Sequence, residues 1–186
     1  TCISTNQFKT NMNKKYLFER RKKLAKYQRA LNKKTIVLLQ SSILLSTAYF
    51  PPIEYMHYVL SGNEIYIEAH ENFVKQTYRN RCNIVTANGA LDLSVPLINE
   101  GNKTLIAEKK ISYSENWQTK HWRAIESTYN NSPYFEYFED EIKSVILKEH
   151  EFLFELNKQS LQSMLDILRV KVDITYTTEY KKTIEN

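Results

Sequence analysis

The most informative stretch of this sequence is residues 43–70, which read ILLSTAYFPPIEYMHYVLSGNEIYIEAH. Ile43–Tyr49 is an apolar-rich run of the kind that forms a buried strand, and two prolines follow it. Ile53–Leu60 places apolar residues on one helical face and runs into a Ser-Gly-Asn sequence that ends a helix. Glu64–His70 alternates apolar with polar side chains, as a short strand does. A strand, a helix and a strand in this order predict an α/β domain.

The rest of the chain adds a predicted hairpin and a helical C-terminal half. Asn88-Gly89 is a strong signal for a tight turn, and Pro96 indicates that the second hairpin strand lies at an edge. The predicted elements are strands at Asn83–Thr86 and Leu91–Leu97, an extended segment at Thr104–Tyr113, a helix at Ser114–Asn130, two helices within Tyr134–Leu168 that meet near Leu156–Gln159, and a strand at Lys171–Tyr180. The predicted fold class is therefore α/β, a single domain with a mainly parallel, Rossmann-like sheet.

Composition excludes several classes of protein. Of the 186 residues, 42% are apolar and 25% are charged, which is typical of a globular chain. Cys2 and Cys82 are too few for a disulfide framework or for a zinc site built from cysteines. With 3 glycines, the chain has neither a Walker A loop nor the G-x-G-x-x-G fingerprint. The 4 histidines form no metal-binding motif, so no metal is predicted and the cofactor is left unknown. No apolar run reaches the roughly 18 residues of a membrane span.

Positive charge is concentrated at the start of the chain. Residues 1–34 hold 11 Lys and Arg against one acidic residue, Glu19, whereas the remaining residues carry more acids than bases. We expect residues 1–34 to be a weakly ordered basic extension and residues 35–186 to be the α/β domain. Such an extension is usually solvated, although it also allows contact with a membrane surface; nucleic acid is not the expected partner. Residues 36–48 are compatible with either a secretory signal or a buried strand, and we favour the strand.

Candidate functional side chains gather where the first two predicted strands end. In open α/β sheets, ligands bind at the carboxyl ends of the strands. The first strand delivers Tyr49 to this edge and the second delivers Glu68, His70 and Glu71, so these groups converge if the strands are neighbours. Imidazole beside a carboxylate is the usual arrangement of a general base. A histidine between two acids is equally compatible with a surface ion pair.

Residues 75–81, which read KQTYRNR, contribute a second set of candidates. The guanidinium groups of Arg79 and Arg81 are suited to grip a phosphate or carboxylate through two nitrogen atoms each. The structural alternative is that these arginines tether loops through backbone carbonyl groups.

The predicted helix at Ser114–Asn130 contributes a third set. Trp117 and His121 are four residues apart and therefore share a helix face. His121 is a second candidate base, or it joins a hydrogen-bond network under the helix. Trp117 and Trp122 are large aromatic side chains that form a core more often than a substrate platform.

Three blocks of the sequence, taken in order, resemble the WbqC-like protein family. They are LSTAYFPPIEY at 45–55, HENFVKQTYRNR at 70–81, and NWQTKHWRAIE at 116–126, which continues to SPYF at 132–135. The likeness looks greatest to the branch found in Bacteroidetes. Compared with family members, we expect residues 1–34 to be an N-terminal extension and the C-terminus to be truncated.

The resemblance implies a function. Members of the family occur in gene clusters for O-antigen and other surface polysaccharides, and a glycine-transferring role has been suggested for some of them. This implies a cytoplasmic acyl or aminoacyl transferase whose small-molecule partners are a nucleotide-linked sugar and an acyl or aminoacyl donor. The alternative is a non-catalytic module that binds a carbohydrate, a nucleotide or a protein.

The candidate residues divide into two groups under this hypothesis. The candidate catalytic residues are His121, His70, Glu68 and Glu71, with either histidine as the general base. The candidate substrate-binding residues are Tyr49, Gln76, Arg79, Asn80, Arg81, Trp117 and Trp122. Among these, the two arginines are expected to hold phosphate or carboxylate, and Asn80 to orient the substrate.

Overall fold

The computed structural model describes residues 42–99 and 104–180, all within the unit Gln40–Asn186. The predictions for residues 1–34 and for residues 36–41 fall outside the described residues. In chain order, the elements are β1 (Ser42–Ser46), α1 (Ile53–Val59), β2 (Glu64–Glu68), β3 (Arg81–Thr86), β4 (Gly89–Ser94), α2 (Trp117–Tyr129), α3 (Glu139–Leu147), α4 (Leu153–Leu168) and β5 (Ile174–Tyr176), with short 3-10 turns at Ile106–Glu108 and Phe135–Tyr137.

The strands β1, β2 and β5 form a parallel sheet with β2 in the centre. The register pairs Ser42 with Glu64 and Ser46 with Glu68, so β1 and β2 end at the same level. α1 lies in the connection between them, because parallel neighbours cannot be joined by a tight turn. This arrangement confirms the predicted α/β class, and it meets the condition that the first two strands be neighbours.

The strand β1 is shorter than predicted. It ends at Ser46 instead of Tyr49 because the chain leaves the sheet to reach other partners. The backbone N–H of Tyr49 donates to the carbonyl of Tyr78 at 2.8 Å, and the N–H of Phe50 donates to Oγ of Ser160 at 3.3 Å. Phe50 adopts φ +42°, a left-handed conformation that is uncommon for a non-glycine residue and turns the chain sharply.

The strands β3 and β4 form a separate antiparallel hairpin, as predicted. Its register runs from Arg81 opposite Ser94 to Thr86 opposite Gly89, which leaves two residues in the loop. Gly89 adopts φ +108°, so the glycine of the Asn-Gly pair takes the conformation that other residues disfavour. β4 ends at Ser94, earlier than predicted, because Pro96 has no N–H with which to extend the ladder.

The helix boundaries show where local patterns are insufficient. α2 begins at Trp117 and is capped by Asn116, whose side chain accepts a hydrogen bond from the N–H of Thr119, so the predicted start at Ser114 was too early. The break between α3 and α4 lies before Leu153 and not near Leu156–Gln159. There, the N–H of Leu153 donates to the carbonyl of Lys109 at 2.8 Å, a tertiary contact with no local signal.

Three smaller features complete the comparison. The segment Thr104–Tyr113, predicted to be extended, contains the 3-10 turn Ile106–Glu108, and β5 covers only part of the strand predicted at Lys171–Tyr180. Within residues 42–99 and 104–180, no helix is both long enough and apolar enough to cross a membrane.

The apolar interior has two parts that share α4. One part joins the sheet to α1 and α4, and the other joins the hairpin to α2, α3 and the start of α4. Phe154 packs against both parts. The first part is centred on Met56, Val59, Ile65, Ile67, Leu161 and Leu165, and the second includes Tyr49, Val95, Ile106, Trp117, Trp122 and Leu153.

Candidate functional site

A connected group of polar side chains lies at the carboxyl ends of β1 and β2. The hydroxyl of Ser46 donates to Oε2 of Glu71 at 3.3 Å, although the two residues are 25 positions apart. Nε of Arg79 donates to Oε1 of Glu71 at 2.8 Å, and Nη2 donates to Oε2 of the same carboxylate and to Oγ of Ser46 at 2.9 Å. Nη1 of Arg79 donates to Oγ1 of Thr77 at 3.3 Å. The Arg79 guanidinium therefore links Ser46 at the end of β1 to Glu71, which follows β2.

Glu68 and His70 lie beside this group. Oε1 of Glu68 accepts a hydrogen bond from the backbone N–H of His70 at 2.8 Å and another from Oγ1 of Thr177 at 2.7 Å. Oγ1 of Thr177 also accepts from the N–H of Ala69 at 3.0 Å. These contacts fix the turn that follows β2. Nδ1 of the half-buried His70 ring has no hydrogen-bond partner among the described residues.

Tyr49 and His121 form a buried pair below the surface. The hydroxyl of Tyr49 lies 3.1 Å from Nδ1 of His121, and both side chains are almost completely shielded from solvent. Burial lowers the pKa of His121 to about 4, against a smaller opposing effect of a hydrogen bond with the Ser94 backbone. Burial, and to a smaller degree Cys82, also raises the pKa of Tyr49. Both groups are therefore neutral at pH 7, and His121 is a weak base.

Trp117 and Trp122 are core residues in this structure. Trp117 packs edge-on against His121 with ring centroids 5.1 Å apart, which agrees with their predicted position on one helix face. Trp122 stacks on Phe135 at 6.3 Å. Both indoles are buried, which favours the core alternative over a substrate platform.

A cleft of about 620 Å³ is lined by the segment that follows β2, by the end of β4 and by Lys109. Three of the candidate substrate-binding residues, Gln76, Asn80 and Arg81, line it. Gln76 adopts φ +60°, a left-handed conformation that is often found at binding sites. Nδ2 of Asn80 donates to the carbonyl of Val95 at 3.1 Å, which ties the cleft floor to the end of β4. Oδ1 of Asn80 and Nε of Arg81 have no hydrogen-bond partner among the described residues.

Sequence reasoning missed Lys109 in this cleft. Its side chain lines the cleft and its Nζ donates to the carbonyl of Ile98 at 2.6 Å. In the sequence it is one of two adjacent lysines in a segment predicted to be extended, and nothing local distinguishes it from Lys110. Only burial separates them, since Lys109 is 4% exposed while the Lys110 side chain is 43% exposed.

A second, apolar cavity of about 310 Å³ lies between β3, α2 and α3. Its wall includes Phe50, Ile84, Phe135 and Cys82. Burial raises the pKa of the Cys82 thiol to about 12, so the thiol is protonated and unreactive at neutral pH. The part of the chain that the structure describes contains no cluster of three or more His, Cys, Asp or Glu side chains able to hold a metal ion.

The fold is that of an α/β domain, a class of proteins in which ligands commonly bind at the carboxyl ends of the strands. A comparison with family models identifies the WbqC-like protein family over residues 47–186, most of the chain, so the protein belongs to this family.

Comparison with curated proteins finds similarity to the uncharacterized protein Rv1507c of Mycobacterium tuberculosis strain ATCC 25618 / H37Rv. The two are 24% identical over 149 residues, which cover 80% of this chain and 62% of that protein. The chain thus spans less than two thirds of the length of this relative. No solved structure matches the chain.

Proposed function

We propose that this protein is a cytoplasmic transferase that moves an acyl or aminoacyl group onto an amino or hydroxyl group of a nucleotide-linked sugar in surface-polysaccharide biosynthesis. The observation that carries the proposal is that one stretch of chain supplies residues to both the polar sheet edge and a cleft lined by Lys75 and Arg81. The segment 71–81 contributes to both, because Glu71 and Arg79 belong to the edge while Gln76 and Arg81 line the cleft. A substrate held in the cleft would therefore lie close to the ionisable groups of the edge.

His70 is the general base in this proposal. Its backbone N–H donates to Oε1 of Glu68 at 2.8 Å, it directly precedes Glu71 in the chain, and the buried Nδ1 of its ring has no hydrogen-bond partner among the described residues. His121 is less suited, because its pKa of about 4 makes it a poor proton acceptor at neutral pH and its Nδ1 already contacts Tyr49.

The proposed reaction balances without a further co-reactant. The acceptor amino or hydroxyl group gives its proton to the imidazole of His70 as its nitrogen or oxygen attacks the carbonyl carbon of the activated donor. The bond between that carbon and the leaving group of the donor then breaks, and the proton held by His70 passes to the leaving group. The donor is a thioester or another activated acyl or aminoacyl compound.

The remaining candidates hold the substrate or support the site. Arg81 holds phosphate or carboxylate, and Asn80 and Gln76 orient the substrate in the cleft. Arg79 acts through Glu71 and is a positioning residue. Tyr49, His121, Trp117 and Trp122 form the buried support behind the sheet edge and the hairpin, as their burial favours.

The test is a product assay with the full chain. Nucleotide sugars are mixed with acyl or aminoacyl thioesters, and the acylated sugar is detected by mass spectrometry. His70→Gln is expected to lower kcat by about 10²–10⁴-fold with little change in KM, and Arg81→Gln to raise KM. His57→Gln, at an exposed position on α1, is the matched control and should leave both constants unchanged.

Equal kcat in His70→Gln and the wild type would remove His70 from the mechanism. Binding of a nucleotide sugar without turnover on any donor would instead favour the non-catalytic alternative.

A further inference from the structure

The apolar cavity between β3, α2 and α3 has the size of a ligand site. An engineered apolar cavity of about 150 Å³ binds benzene. The volume here is about 310 Å³, which leaves room for roughly twice as many heavy atoms, about twelve. The cavity opens to solvent beside the exposed residues Ser132 and Pro133. The buried part of its lining consists of residues that are 6% to 8% exposed, Cys82, Ile84, Ile125 and Phe135.

The wall of the cavity is uncharged. None of the described residues that line it carries a charged side chain. An ammonium or carboxylate group that entered would lose its hydration without gaining an ion pair, which is costly. The most polar residues of the lining are neutral, Asn83, Tyr129 and Ser132, and the hydroxyl of Tyr129 already accepts from the N–H of Val85 at 3.3 Å. The wall therefore favours an uncharged hydrocarbon group, which gains dispersion contacts and leaves water on binding.

Two uncommon backbone conformations adjoin the cavity. Phe50, which lines it, adopts φ +42°, and Tyr134, between the lining residues Pro133 and Phe135, adopts φ +74°. Bulky residues rarely adopt this left-handed conformation, and such positions are concentrated at ligand clamps and active sites. The N–H of Phe50 donates to Oγ of Ser160 at 3.3 Å, so a contact with α4 holds this part of the wall. These features favour a preformed binding site over a packing defect.

The strand β3 contributes to both the cavity and the cleft. Arg81 lines the cleft, and the next residue, Cys82, lines the cavity. We infer that the cavity binds the aliphatic acyl chain of the donor, with the chain packed against Ile84, Ile125 and Phe135. This inference rests on the proposed function in taking the ligand to be the donor. It narrows the donor from acyl or aminoacyl to acyl, because an aminoacyl group would carry an ammonium into an uncharged wall.

Titration of the ¹⁵N-labelled full chain with butanamide, hexanamide and octanamide tests the inference. These amides are neutral probes that carry an acyl chain and its carbonyl group. They should shift the amide signals of Ile84, Ile125 and Phe135, and their affinity should rise about fourfold for each methylene group added. The ω-amino derivative of hexanamide, which has an ammonium group at the far end of the chain, should bind at least about tenfold more weakly than hexanamide.

A variant that fills the cavity provides a second test. Ile142 lines the cavity, so Ile142→Phe should weaken octanamide binding at least about tenfold. Ile53→Phe is the matched control, because it makes the same change on α1 at a side chain that is 85% exposed and outside the lining. It should bind octanamide as the wild type does. Should Ile142→Phe not fold, the chain-length series of the wild type decides, since equal affinity for butanamide and octanamide overturns the inference.

The outcomes separate this inference from the proposed reaction. If octanamide shifts no amide signal of the cavity at millimolar concentration, or binds a folded Ile142→Phe as tightly as the wild type, the inference is wrong even where an aminoacyl thioester supports transfer. If octanamide binds in the cavity and no donor supports turnover, the acyl-chain site stands and the proposed reaction fails.

Discussion

The hydroxyl of Tyr49 lies 3.1 Å from Nδ1 of His121, which links the segment after the first strand to the helix α2 across 72 positions of the sequence. Both side chains are buried, so the bond is made without competition from water. It connects the segment that follows β1 to the helical half of the domain. Two residues that the sequence suggested for substrate binding and catalysis therefore lie in the supporting core.

Removing the Tyr49 hydroxyl should destabilise the protein. Tyr49→Phe keeps the ring but leaves Nδ1 of a buried histidine without this partner, which costs about 1–3 kcal/mol in free energy of unfolding. Urea denaturation measures the change. Tyr137→Phe is the control, because Tyr137 is 51% exposed and its hydroxyl can bond to water. Equal stability of the two variants would show that the buried bond contributes nothing.

Stability should fall at acid pH through His121. The pKa of this buried imidazole is about 4 in the folded protein against 6.5 ordinarily, so between these values the unfolded chain binds a proton that the folded chain does not. Stability is then full above pH 6.5 and declines as pH falls to about 4, by up to about 3 kcal/mol. The pKa of His150 is also lowered, by burial first and by Lys148 second, and adds in the same direction.

A comparison of variants isolates the contribution of His121. Urea unfolding at pH 7 and pH 5 gives the loss of stability for the wild type, for His121→Gln and for His57→Gln. The loss should be smaller in His121→Gln and unchanged in His57→Gln, since acidic groups titrate alike in all three. An unchanged loss in His121→Gln would contradict the lowered pKa.

The Arg79–Glu71 pair should behave as a partly buried ion pair. Both side chains are 15% exposed, so Arg79→Met leaves a carboxylate with little access to water and should cost about 3 kcal/mol in stability. Arg79→Lys should recover only part of this, because an ammonium group cannot make two parallel bonds to Glu71. The control is Lys120→Met, in an ion pair with Glu115 whose side chains are about two-thirds exposed. Similar melting temperatures for Arg79→Met and Lys120→Met would rule out the bracing role.

Cys82 should resist thiol reagents while the protein is folded. Its thiol is buried and its pKa is raised to about 12, so very little thiolate forms below pH 9. In a Cys2→Ser background, alkylation should be slow in buffer and fast in urea. Rapid labelling of the folded chain would show that the cavity around Cys82 opens readily.

The fold was predictable wherever a local pattern is sufficient. The two apolar strands on either side of α1 predicted the α/β class correctly. The Asn88-Gly89 turn predicted the hairpin correctly. Boundaries that depend on distant contacts were not predictable. The carbonyl of Lys109 defines the start of α4, and the carbonyl of Tyr78 draws Tyr49 away from the end of β1.

The candidate site also has a part that the sequence predicts and a part that depends on distant contacts. Sheet geometry explains why Ser46 and Glu71 meet, since strand ends were the expected meeting point. Residue type alone could not separate Arg79, which is engaged by Glu71, from Arg81, which lines the cleft. Nor could it assign burial, which distinguishes Lys109 from Lys110 and lowers the pKa of His121.

The proposed function depends on the binding of a nucleotide-linked sugar in the cleft lined by Gln76, Asn80 and Arg81. The most direct test is a titration of the ¹⁵N-labelled full chain with a panel of nucleotide sugars, followed by amide chemical shifts. At least one compound should shift the amides of Gln76, Asn80, Arg81 and Ser94 first, because these residues line the cleft. Shifts confined to the apolar cavity around Cys82, or no shift with any compound at millimolar concentration, would contradict it.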